Sequence, residues 1–209
     1  CVCDQGWEGP DCSSRSPQYG MLADARDAPY NLGTTLATYA ALRKARGEPL
    51  LFFGDRSNRE LRWDITSARQ LAEMMLWSVD VDRAHGEAFN CTTGQPFRWE
   101  DVWPKLAAWF DMEPVFRNKS FPVRPFFEEN SDLWNNLIQT HALRDHALRS
   151  LSSDDFVDRA MTMNWEAVFS MNKAHSAGFP KGSGPARVFI DLFEQLVDEQ
   201  VIPLEADPS

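Results

Sequence analysis

The stretch Glu87 to Phe110, EAFNCTTGQPFRWEDVWPKLAAWF, carries the reading of this fold. Glu87 to Thr92 predicts a short strand, and Gly94-Gln95-Pro96 a turn, because Gly and Pro interrupt regular backbone. From Trp99 to Phe110 the apolar residues Val102, Trp103, Leu106 and Phe110 return at helical spacing, which predicts a helix with one inward stripe. Pro104 falls within its first turns, where a missing N–H is tolerated. Strand, turn and helix in immediate succession point to an α/β region.

Upstream, Thr66 to Val79 predicts a helix. Ser67 and Gln70 have capping-box spacing, and Leu71, Met74, Met75 and Ser78 are expected to face inward. Leu32 to Ala45 predicts another, with Leu32, Leu36, Tyr39 (or Ala40) and Leu42 on one side and Gly47 as the stop. Between them Pro49 to Gly54, PLLFFG, is an apolar run bounded by breakers and reads as a buried strand. Downstream, Glu113 to Asn130 is rich in Pro and Phe and is expected to be irregular. Helices are expected around Leu133 to His141, Phe156 to Met161 and Trp165 to His175. A last amphipathic helix spans Pro185 to Gln200, with Phe189, Leu192, Phe193 and Leu196 inward and Pro185 at its first position. The fold class is therefore α/β, richer in helix than in strand.

A chain of 209 residues suits one domain. Eight Trp and fourteen Phe supply bulky core or pocket material. The formal charge of −10 argues against nucleic acid as a partner, because phosphate binding needs clustered Lys and Arg. It also disfavours an anionic membrane surface. Wholly apolar runs are no longer than stretches such as Leu50 to Phe53, so no membrane span is expected. No charged segment followed by an apolar one opens the chain, so no signal peptide is visible.

Chemistry-bearing motifs are sparse. His85, His141, His146 and His175 have no metal-ligand spacing with Cys, Asp or Glu, and no metal site is expected. A G-x-S-x-G elbow is absent, which leaves hydrolase chemistry without support. Cys91 fits the expected strand as a small buried hydrophobe. Asp154-Asp155, after Ser152-Ser153, read as the N-terminal region of a helix rather than as paired catalytic carboxylates. Of the sequons Asn90-Cys91-Thr92 and Asn118-Lys119-Ser120, the first falls in the strand expected to be buried, and the second in the irregular segment. No G-x-G-x-x-G or G-x-x-G-x-x-G turn occurs; Gly182 and Gly184 precede the final helix as a loop. The tyrosines are Tyr19, Tyr30 and Tyr39, and Tyr39 sits inside a helix with Arg43 four residues on, which reads as core. No residue is assigned a catalytic or cofactor-binding role.

Several blocks resemble the C-terminal half of the progesterone 5β-reductase/iridoid synthase-like (PRISE) family of extended short-chain dehydrogenases. They are Asn31 to Gly54 (NLGTTLATYAALRKARGEPLLFFG), Thr66 to Trp77 (TSARQLAEMMLW), Glu87 to Phe110, Ser170 to Phe179 (SMNKAHSAGF) and Val201 to Pro203 (VIP). They occur in the family's order and near its spacings, so the resemblance covers about Asn31 to Pro203. It implies the C-terminal substrate lobe of an NAD(P)-binding Rossmann-type reductase, with the Rossmann half expected to be absent. It also implies NADPH as cofactor and an apolar α,β-unsaturated carbonyl compound, an enone, as substrate. Hydride would go to the β-carbon while a tyrosine, assisted by a lysine, stabilises the enolate. That tyrosine and lysine pair and the phosphate-binding turn are not found, so the isolated chain is expected to be inactive. The family's proline-led strand before Asn31 is not recognisable in GMLADARDAP, Gly20 to Pro29.

By the same resemblance the lobe would supply the apolar wall and lid of the substrate pocket. A pocket aromatic expected before the SMNK block falls near Phe156-Val157, and the register places Val157 where the family has Phe. Phe116, Phe121, Phe126 and Phe127 lie in and beside the Pro-rich stretch Pro114 to Pro125, which is either a lid over an apolar pocket or a loop packed on the core. The candidate pocket residues are Phe126, Phe127, Trp134, Phe156, Val157 and Met161.

The beginning of the chain points elsewhere. C-x-C-x-x-G-W-x-x-x-x-C, Cys1 to Cys12, resembles the end of an EGF-like module, which implies a disulfide between Cys3 and Cys12. A chance cysteine cluster is the other reading. The expected organisation is a partial EGF-like segment and linker over 1–16 and a PRISE-like region over 17–209. Crowded cysteines suit an oxidising compartment, whereas a single Cys91 in the remainder looks cytosolic. The alternative to a reductase lobe is accordingly a non-catalytic, extracellular, EGF-containing binding or adhesion protein.

Overall fold

The computed structural model describes residues 32–144 and 146–203, together with the backbone of two short strands, β1 (Trp7–Glu8) and β2 (Ser14–Arg15), which pair antiparallel. The expected Cys3–Cys12 bond lies outside the described residues.

The centre of the fold is α1 (Leu32–Ala45). Every residue from Gly33 to Arg43 is buried, so this helix is enclosed on all sides rather than on the one face the periodicity predicts. Small residues make that possible. Thr38 donates its hydroxyl to the Thr34 carbonyl at 2.9 Å, and Thr35 accepts the Ser153 N–H at 2.8 Å, so the buried hydroxyls are partnered. Gly47 ends the helix at φ +65°, with the Glu48 N–H returning to the Arg43 carbonyl at 3.0 Å.

The PLLFFG run contains β3 (Leu50–Leu51), which pairs in parallel with β6 (Pro114–Val115). Leu50 through Phe53 are fully buried. Aromatic donors close two strand carbonyls: Trp103 Nε1 reaches Leu50 at 3.0 Å and the Tyr39 hydroxyl reaches Leu51 at 3.0 Å. At Gly54 a Cβ would lie 2.6 Å from the Phe52 ring and 2.8 Å from Asn58 Oδ1, so only glycine fits.

After α2 (Arg56–Glu60), β4 (Arg62–Trp63) pairs antiparallel with β5 (Phe97–Arg98). The expected strand over Glu87 to Thr92 does not form. Its polar backbone groups are taken by side chains instead: Lys173 Nζ on the Ala88 carbonyl at 2.9 Å, Thr66 on that of Cys91, and Gln70 on that of Thr92. Satisfied in this way, the segment needs no partner strand.

Between these strands lies α3 (Ala68–Asp80). Ser67 caps it by accepting the Gln70 N–H at 3.1 Å, as expected, but the Gln70 amide goes to Thr92 rather than back to the cap. The inward face also differs from the expected one. Gln70 and Met74 are buried, whereas Leu71 and Met75 are exposed together with Leu76 and Val79.

The helix of the opening stretch is α4 (Trp99–Trp109), and the expected stripe of Val102, Trp103, Leu106 and Phe110 is buried throughout. Pro104 lies inside it without ending it. The Pro- and Phe-rich segment is more regular than expected, because it holds β6 and α5 (Val123–Glu129). Pro125 stands at the third position of α5, where no intrahelical N–H bond is lost. Asp158 supplies the missing cap, accepting the Val123 N–H at 2.7 Å and the Arg124 N–H at 3.3 Å.

The chain continues through α6 (Ser131–Thr140), α7 (Leu148–Leu151) and α8 (Asp154–Ala160). The helix expected over Trp165 to His175 is reduced to α9 (Asn172–Ser176). Residues before it run along β4: Ala167 bridges in parallel to Trp63, and Arg62 grips Glu166 through two bonds of 2.9 and 2.6 Å. Trp165 and Phe169 in this segment are exposed. The final helix, α10 (Pro185–Asp198), packs against α1 and α4 and buries Phe189, Phe193 and Leu196. Among the described residues no helix is long and apolar enough to cross a membrane.

Candidate functional site

Five of the six expected pocket residues are removed from solvent: Phe126, Phe127, Trp134, Val157 and Met161. Phe156 is half-buried against the same main core. They converge from separate elements, with Phe126 and Phe127 on α5, Trp134 on α6, Phe156 and Val157 on α8 and Met161 at its end. The contact between α5 and α8 is held at its edge by the Asp158 cap. Phe126 meets Tyr39 edge-on with ring centres 5.0 Å apart, and Phe121 and Phe127 at 5.9 and 6.2 Å. Trp134 directs its indole N–H to the His146 carbonyl at 3.0 Å. The group is thus an aromatic wall between α1, α5, α6 and α8, packed into the core.

Tyr39 belongs to that wall. Its hydroxyl is occupied by Leu51, and burial pushes the phenol far above its ordinary range even with Arg43 stacked 5.8 Å from the ring centre. A phenol so hard to ionise is a poor proton donor to a forming enolate, which agrees with the core reading.

The structure also joins two of the resembling blocks, a pairing that linear reading missed. Lys173 forms a 2.6 Å ion pair with Glu87 and lies 5.1 Å above the Phe89 ring centre. The pairing holds the Glu87 carboxyl below its ordinary range. Asn90 donates to the Ser170 carbonyl at 3.1 Å, and the Thr92 N–H points to the Met171 sulfur at 3.3 Å. Met74, Met171, Ala174 and Phe179 form a second, smaller core beneath this contact. Complementary charges at Glu87 and Lys173 were the available sequence signal.

Cys91 is half-buried beside that smaller core in irregular backbone, not in a strand, and burial raises its thiol above the ordinary range. A raised thiol carries little thiolate and is a weak nucleophile. Asn90, expected to be buried, is exposed. His175 directs Nδ1 at the Phe179 carbonyl at 3.0 Å, and His85 contacts the Val79 carbonyl at 3.0 Å. Among the described residues no group of His, Cys, Asp or Glu could hold a metal ion.

The glycine loop before α10 does not fit the phosphates of a dinucleotide. Gly182 lies against the Gln70 amide, where a Cβ would come within 3.0 Å, and its carbonyl accepts from Gln95 at 3.1 Å. Pro185 then opens α10 without an N–H to offer. This glycine loop is packed on side chains, not open as a cradle.

No family model matches the chain. An (S)-8-oxocitronellyl enol synthase of Antirrhinum majus is 29% identical over 175 residues, covering 83% of this chain and 45% of that enzyme. An enzyme of the same name from Catharanthus roseus is 24% identical over 176 residues, with the same two shares. A 3-oxo-Δ(4,5)-steroid 5β-reductase of Arabidopsis thaliana is 26% identical over 175 residues, again covering 83% of the chain and 45% of the enzyme. The chain spans about half the length of the curated relatives it matches. Over that span it is a homologue of the iridoid synthase and steroid 5β-reductase, or PRISE-like, reductases.

Proposed function

We propose that this chain is the substrate-facing lobe of an NADPH-dependent reductase of α,β-unsaturated carbonyl compounds, and that it is inactive without a nucleotide-binding half. The observation that carries the reading is the match over 83% of this chain to enzymes of which it spans only 45%. The packed Gly182 loop supports assigning the cofactor to the other half. Residues 17–209 are the reductase-like region.

In this reading the aromatic wall of Phe126, Phe127, Trp134, Phe156, Val157 and Met161 excludes water from an apolar substrate. The Tyr39 phenol against the wall is kept neutral by burial and bonded to the Leu51 carbonyl, so the wall recognises shape and apolar surface rather than charge. Five of its members are closed to solvent, so a substrate reaches them only by displacing the residues that cover them.

The test is NADPH oxidation with a small enone, 2-cyclohexenone, by the full chain co-expressed with the part of the Antirrhinum relative outside the matched region. Turnover by the pair and none by either part supports the reading. A soluble, folded pair that does not turn over contradicts it.

A further inference from the structure

We infer that the outward face of α3 is the surface on which the nucleotide-binding half docks, an assignment that rests on the reductase reading above. The helix is apolar on opposite sides. Met74 and Trp77 turn toward the smaller core, with Gln70 buried beside them on the Thr92 carbonyl, while Ala68, Leu71, Ala72, Met75, Leu76 and Val79 turn outward. At 100° per residue the two sets are centred roughly 160° apart, separated on one side by Arg69, Glu73 and Asp80. The outer set is not a row of grazing contacts: Leu71 is 44% exposed, Met75 63%, Leu76 69% and Val79 72%.

A helix at the edge of a domain needs one apolar face; a helix apolar on both sides is the middle layer of a larger body. The chain matches 45% of the length of its relatives, which leaves more than an equal length of polypeptide to form that next layer. A contiguous apolar patch of this kind marks an interaction surface. The charges beside it confine the contact to the stripe, which suits a folded partner better than a lipid surface, given a chain charge of −10.

The experiment co-expresses the full chain with the unmatched part of the Antirrhinum relative and measures complex formation by light scattering after size exclusion. The double substitution Met75→Glu with Val79→Glu is compared with the unsubstituted chain. Both side chains are solvent-exposed in the chain alone, so its thermal midpoint should not move. The expected result is a 1:1 complex for the unsubstituted chain and at least a hundredfold weaker association for the variant. Equal association of the variant overturns the assignment, and so does failure of the unsubstituted chain to associate. A homodimer that the substitutions dissociate makes a second copy the occupant and overturns it as well. A substitution-sensitive complex that does not oxidise NADPH with 2-cyclohexenone leaves the docking face standing and defeats the reductase reading. Activity retained by the variant pair does the reverse.

Discussion

Removing the Tyr39 hydroxyl takes away a buried bond to the Leu51 carbonyl, and Tyr39→Phe should cost about 1 kcal/mol in chemical denaturation. The same residue sets a pH dependence. Its folded-state ionisation is shifted upward by burial, so its stabilising contribution is complete below the unfolded value of about 10 and is lost as pH rises above it. Stability should therefore fall above that pH in the native chain and fall less in Tyr39→Phe. Asp158 gives a second local test. Asp158→Ala removes the cap of α5 and should cost about 1 kcal/mol. Burial raises the Asp158 carboxyl, with the two backbone bonds opposing. Its proton-linked contribution is thus complete at acid pH and declines as pH rises, so Asp158→Asn, which keeps an acceptor oxygen, should compare best with the native chain near neutrality and worst in acid.

At the scale of elements, α3 contains its own control. Met74 is buried in the smaller core, and Met74→Ala should cost about 2–5 kcal/mol. Met75→Ala, one residue on and exposed, should stay within about 0.5 kcal/mol; thermal melts of the two variants separate the faces. The sequence pattern located this helix and its Ser67 cap but not its direction, because apolar residues stand on both sides and periodicity cannot say which side is covered. The strong stripes of α4 and α10 were legible for the opposite reason, since each has one apolar face. The expected strand over Glu87 to Thr92 failed where Thr66, Gln70 and Lys173, distant in sequence, supply the bonds a strand partner would have made. The expected helix over Trp165 to His175 failed for a related reason, as Arg62 and Asp64 draw that segment along β4.

For the whole molecule, the resembling blocks predicted kinship over nearly the span that the relatives match. What they could not predict was how two of them meet. The pairing of Glu87 with Lys173 and of Asn90 with Ser170 depends on folding, not on adjacency. The six pocket residues were picked as aromatic and apolar, and the structure places five of them in the main core and Phe156 against it; which face of that core a substrate meets is not written in the sequence pattern. The division of labour between this lobe and a nucleotide-binding half is the central claim. Its most direct test is a fluorescence titration of NADPH against the full chain alone and against the chain paired with the unmatched part of the Antirrhinum relative. Saturable binding by the pair and none by the chain alone is the predicted result. Saturable binding by the chain alone would contradict it, since the cofactor contacts would then lie within this lobe.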